Sequence, residues 1–177
     1  MKYDNNKPKI IRCTIYAVIL MATVLLQNSR GAFPEIFGAR AFVVLPLCVA
    51  VSMHEREIAA AIFGGAAGIL LDVCTANDGF NSVVLVILCA VCSLLISHFM
   101  QNNVVTSLVL GTGMISVYNL LYGIVNIAMS GGGSPLKQLA LFYFPSAVYT
   151  MLFVPVYYFI IKWVWEKAEE SGNFVNK

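Results

Sequence analysis

The stretch Ile58-Ala-Ala-Ala-Ile-Phe-Gly-Gly-Ala-Ala-Gly-Ile-Leu-Leu-Asp72-Val73 decides how this chain is read. At 100° per residue, Ala61, Gly65, Gly68 and Asp72 fall within about 60° of one another on one helix face. Gly64 and Gly68 form a Gly-x-x-x-Gly pair in the same turns. Side chains this small let helix backbones approach closely, which is how helices gain packing where lipid offers no hydrophobic drive. The face therefore serves either packing within its own bundle or an interface with another membrane protein.

Composition places this helix in a membrane chain. Of 177 residues, 59% are hydrophobic and 11% charged, and mean hydropathy is +0.81. Ordinary soluble domains are about 45–50% apolar and about 25% charged. The eleven Lys/Arg and nine Asp/Glu are too few to cover a water-facing domain of this size. A soluble globular protein, a disordered chain and a nucleic-acid binder are all excluded. The expected partner of the surface is the lipid bilayer. Six spans of about 20 residues take about 120 residues, leaving about 57 for loops and termini and no room for a separate soluble domain.

Six apolar runs follow along the chain, and the expected fold is all-α: a single six-helix membrane domain over 1–177. The spans are placed at about 10–26, 39–53, 58–73, 80–100, 104–129 and 139–163. The first follows Lys2, Lys7, Lys9 and Arg12, as a signal peptide would. No small-x-small cleavage pattern follows it, so it reads as a retained helix. The second run, Ala41 to Met53, is short and carries Pro46. Charge decides it. With six spans and both termini cytoplasmic, eight Lys/Arg lie inside and three outside, as the positive-inside rule asks. Without the second crossing the distribution becomes five inside and six outside. In the sixth run, Pro145 and Pro155 are expected to kink one continuous helix, with neighbours satisfying the freed carbonyls. Tyr157, Tyr158, Trp163 and Trp165 read as an aromatic belt.

Few residues in this sequence could carry chemistry. Asp72 is the one acid expected within a span, about 14 residues and roughly 21 Å from the cytoplasmic end. It caps the turn that Asp78-Gly79 completes, contacts a partner or substrate, or, least favoured for want of a paired charge, relays a proton. Ser116, Asn119, Tyr122 and Asn126 fall within about 120° on the fifth run, where polar side chains bond across helices or line a small pocket. Ser146, Thr150 and Tyr157 have the same part in the sixth. Cys13, Cys48, Cys74, Cys89 and Cys92 lie in or beside apolar runs and read as small apolar residues. Cys89 and Cys92 have Cys-x-x-Cys spacing without a second pair, and His54 and His98 lack ligand-spaced companions. No metal site, cofactor site or catalytic set is expected, and the reading is non-enzymatic.

Phe63-Gly-Gly-Ala-Ala-Gly-Ile-Leu-Leu-Asp72-Val73, followed by Gly79-Phe80-Asn81, resembles the MreD family of rod-shape-determining proteins. Those chains show a Gly-rich helix ending in Leu-Leu-Asp and an apolar residue, then a short polar turn and a glycine. The resemblance implies a scaffold of the bacterial cell-elongation machinery in the cytoplasmic (inner) membrane. It implies an MreC-like single-span partner, with MreB filaments and the peptidoglycan polymerase and transpeptidase as direct or indirect partners. Ala61, Gly64, Gly65, Gly68, Asp72 and Gly79 become candidates for the partner interface. The architecture is also similar to the substrate-capture subunits of energy-coupling-factor vitamin transporters. On that alternative Asp72, Asn119, Tyr122 and Asn126 would line an outward pocket. A small transporter or pore-forming protein is a third alternative, disfavoured by the lack of paired charges inside the expected spans.

Overall fold

The computed structural model describes residues 7–29, 42–75, 79–99, 102–130 and 144–174. The expected connections over 30–41, 76–78 and 131–143 lie outside the described residues. The described residues form seven α-helices: α1 (Lys7–Asn28), α2 (Val44–His54), α3 (Glu57–Thr75), α4 (Phe80–Phe99), α5 (Val104–Ser130), α6 (Phe144–Met151) and α7 (Phe153–Phe174). Four segments, Ile10–Asn28, Glu57–Thr75, Phe80–Phe99 and Val104–Val125, are long and apolar enough to cross a bilayer. Their outer faces are greasy: Val18, Leu25, Ile62, Val83, Val109 and Leu120 are all exposed. Soluble proteins rarely show a contiguous apolar surface on this scale. The molecule is an all-helical membrane protein.

The second run departs most from expectation. α2 has 11 residues, about 16 Å of helix, against a hydrocarbon core of about 30 Å. It is the axis of the bundle and touches all six other helices. From Val44 to Met53 no side chain is more than 4% exposed. A helix apolar all round is buried, and this one sits inside protein rather than against lipid. Pro46 lies in its first turn, where the missing N–H has no intrahelical acceptor to lose.

Side chains from distant parts of the chain satisfy backbone groups at both ends of so short a helix. Gln27 of α1 offers Oε1 to the Val44 amide at 3.1 Å. Thr150 of α6 accepts from the Phe42 amide at 3.0 Å. At the opposite end Asn102 Nδ2 donates to the Met53 carbonyl at 3.2 Å. Irregular backbone at membrane depth is tolerated where protein surrounds it.

The sixth run is two helices rather than one kinked span. α6 ends at Met151, Leu152 forms a turn, and α7 starts at Phe153. Pro155 would donate to the Met151 carbonyl in a continuous helix; it has no N–H, and its ring collides with that carbonyl. The chain breaks there, leaving Pro145 and Pro155 each in a first turn. Lys162 stands near the middle of α7, and Glu166, Lys167, Glu169 and Glu170 follow in its second half.

Candidate functional site

The residues that drew attention in the sequence converge on the seam between α3 and α4, the most extensive helix contact in the molecule. A Cβ on Gly64 would lie 2.6 Å from the Leu85 carbonyl oxygen and 2.7 Å from Cys89 Sγ. A Cβ on Gly68 would run into Ser82 Cα and lie 2.6 Å from the Ser82 amide nitrogen. Backbone therefore meets backbone at Gly68. Gly65 stands at the edge of the seam, facing only the Val86 methyl at 3.1 Å. Ala61 is half-buried one turn earlier.

That approach delivers the start of α4 to Asp72. Oδ1 accepts from the Asn81 amide at 3.1 Å, and Oδ2 from the Ser82 amide at 2.9 Å and the Ser82 hydroxyl at 2.7 Å. A carboxylate on the first-turn amides of a helix is stabilised by those orphan donors and by the helix dipole. Here the cap comes from the preceding helix. Gly79 makes the turn with φ +83°, a conformation that L side chains with a Cβ rarely adopt. Asp72 is buried, with both oxygens turned to α4.

The network continues into α5. The Tyr118 hydroxyl donates to Asn81 Oδ1, and the Tyr118 ring stacks on Phe42 at 4.8 Å and on Tyr122 at 6.2 Å. Phe80 meets Tyr122 edge-on at 5.8 Å. Asn81 and four aromatic rings thus form one polar-aromatic cluster at this end of the bundle.

The polar face expected on α5 is rotated from the packed one. Ser107, Leu110, Met114 and Tyr118 are buried, whereas Ser116 is exposed and Asn119 and Tyr122 are half-buried. Ser116 points about 180° from Ser107. The Asn126 side chain lies outside the described residues. In the last run, Tyr157 shares a hydrogen bond with Thr23 of α1 at 3.1 Å.

The other end of the bundle is charged. Arg12 Nε lies 3.5 Å from Glu55 Oε1, with both side chains largely shielded. Ser93 donates to the Glu55 carbonyl at 2.8 Å. His54 Nδ1–H reaches the Ala50 carbonyl at 2.9 Å, and its ring lies 5.6 Å from Tyr158 and 6.3 Å from Trp165. These rings, Asn102, Lys162 and Glu166 border a cavity of about 300 Å³. Trp163 is exposed, with Lys167 Nζ 5.7 Å from its ring. Cys48, Cys89 and Cys92 are buried free thiols, while Cys13 and Cys74 are exposed.

Sequence reasoning missed Gln27, Glu55 and Tyr118. Each acts through a partner distant in sequence, and no spacing rule links such pairs. Ser82 was within reach, because a serine beside Gly79-Phe80-Asn81 is a helix-start signal.

The architecture defines a class, a helical membrane protein built around a buried axial helix. The chain matches no protein-family model, no curated protein and no solved structure.

Proposed function

We propose that the chain is a non-enzymatic scaffold of the bacterial cell-elongation machinery, in the manner of the MreD family. On this reading it crosses the cytoplasmic membrane six times with both termini inside, α6 and α7 together making the last crossing. It binds an MreC-like single-span protein and links cytoskeletal filaments to peptidoglycan synthesis.

One observation carries the reading. The residues of the resemblance, 63–73 and 79–81, act as a single device: small residues admit α4, Gly79 turns the chain and Asp72 caps the new helix. A motif spent on rigid hairpin geometry suits a protein that presents fixed surfaces to others. Because Gly64 and Gly68 are filled by α4, a partner helix would meet α3 on Ala59, Ile62, Ala66 and Ile69, which face outward.

Depletion in a rod-shaped host should give round cells, and the chain should co-purify with a single-span periplasmic partner. Ala66→Trp should abolish that co-purification while the protein accumulates normally. Rods that persist on depletion would end the proposal. A second reading, substrate capture for a vitamin transporter, is favoured by the cluster of Asn81, Phe42, Phe80, Tyr118 and Tyr122. It requires that depletion stop uptake of one vitamin and leave shape intact.

A further inference from the structure

A groove of about 710 Å³ runs between the turn joining α2 to α3 and the last turns of α4. Arg56, Glu57 and Ser97 border its polar part, and Ile58, Ile62 and Ile96 its apolar part. A second acid, Glu55, also lines the groove, and its charge is engaged by Arg12 at 3.5 Å. The side chains of Arg56 and Glu57 have no ion-pair or hydrogen-bond partner among the described residues. Among the described residues, the groove therefore offers a cation beside an anion, neither of them paired.

Its position is equally specific. Glu57 opens one membrane-length helix and Phe99 closes another, so the two charges stand where the hydrocarbon ends. Ile58 and Ile62 lead away from them and are 77% and 69% exposed, open to acyl chains. The first N–H groups of α3 have no acceptor within their own helix and favour an anion.

An amphiphile with an apolar tail, one phosphate and one amine complements every part of this surface. We propose that the groove holds a phospholipid with a zwitterionic primary-amine headgroup, of the phosphatidylethanolamine class. The phosphate sits on Arg56 and the start of α3, the ammonium on Glu57, and an acyl chain along Ile58 and Ile62. Phosphatidylglycerol leaves Glu57 facing no cation. Phosphatidylcholine brings a cation that has no N–H to donate.

The test is lipid competition on the full chain. The protein is purified in mild detergent, stripped of lipid and mixed with equal amounts of phosphatidylethanolamine, phosphatidylglycerol and phosphatidylcholine of identical acyl chains. Native mass spectrometry then counts the retained lipid. Phosphatidylethanolamine should be retained about tenfold over each competitor, the factor that about 1.4 kcal/mol provides. Arg56→Gln should lower its retention, and Glu57→Gln should erase its preference over phosphatidylglycerol. Lys162→Gln, at an exposed charge outside the groove, should change neither. Equal retention of the three lipids by the unaltered chain overturns the proposal, as does a preference that survives both groove substitutions.

Discussion

The α3–α4 seam and the axial helix α2 solve the same problem by opposite means. Both bury helix backbone in a membrane protein, where water offers no alternative partner. The seam joins helices adjacent in sequence and removes side chains, so that backbones touch at Gly68. α2 keeps its side chains on every face, fills the centre with Val, Leu, Cys and Met, and relies on α1, α6 and Asn102, just ahead of α5, to close its ends. Close approach needs glycine at defined positions. A central plug needs only apolar volume and partners for its ends.

Substitutions separate the two designs. Gly68→Leu must push a side chain into the Ser82 backbone and should cost the most, about 3–5 kcal/mol, read by unfolding in detergent. Gly65→Leu meets only the Val86 methyl and should cost far less; equal losses at the two sites would dissolve the seam as described. Asp72→Ala strands the Asn81 and Ser82 amides and should cost about 2–4 kcal/mol. Asp72→Asn, which keeps an acceptor, should recover part of it.

At the ends of α2, Gln27→Ala and Thr150→Val each remove one acceptor and should cost about 1–2 kcal/mol. A loss as large as that of Asp72→Ala would place the more demanding contacts at the axis instead. The Arg12–Glu55 pair should show a coupling of about 1 kcal/mol in a double-mutant cycle with glutamine at each site. Gly113, with nothing within 4 Å of a built Cβ, gives the smallest and opposite effect: Gly113→Ala should stabilise by about 0.5–1 kcal/mol through helix propensity.

Four of the expected spans coincide with helices nearly to the residue. The expected 58–73 and 80–100 are observed as Glu57–Thr75 and Phe80–Phe99, and the runs at 10–26 and 104–129 match α1 and α5 equally well. In each, one uninterrupted apolar run is long enough to identify itself. The other two runs each needed tertiary information. In 39–53 the apolar pattern does not distinguish facing lipid from facing protein. In 139–163 the apolar pattern does not say whether Pro155 kinks a continuous helix or, as observed, sits in the first turn of a new one that starts at Phe153.

The candidate site divides the same way. Asp72 was legible as a helix-end acid because Asp78-Gly79 follows it within a few residues. Its role as cap to the start of α4 needed the approach that Gly68 permits. Ser116 was read as facing inward because polarity was the available guide, yet the packed stripe of α5 runs through Leu110, Met114 and Tyr118.

By itself, then, the amino-acid sequence determined that this is a helical membrane protein and located its long helices and its glycine face. Apolar length and small-residue spacing are properties of short continuous segments, and such segments carry their own signal. Only the tertiary structure decided which helix is central, which face of α5 is packed and what Asp72 holds. Those outcomes depend on partners distant along the chain, Gln27 with Val44, Phe42 with Thr150 and Asn81 with Tyr118, which meet only when the bundle closes.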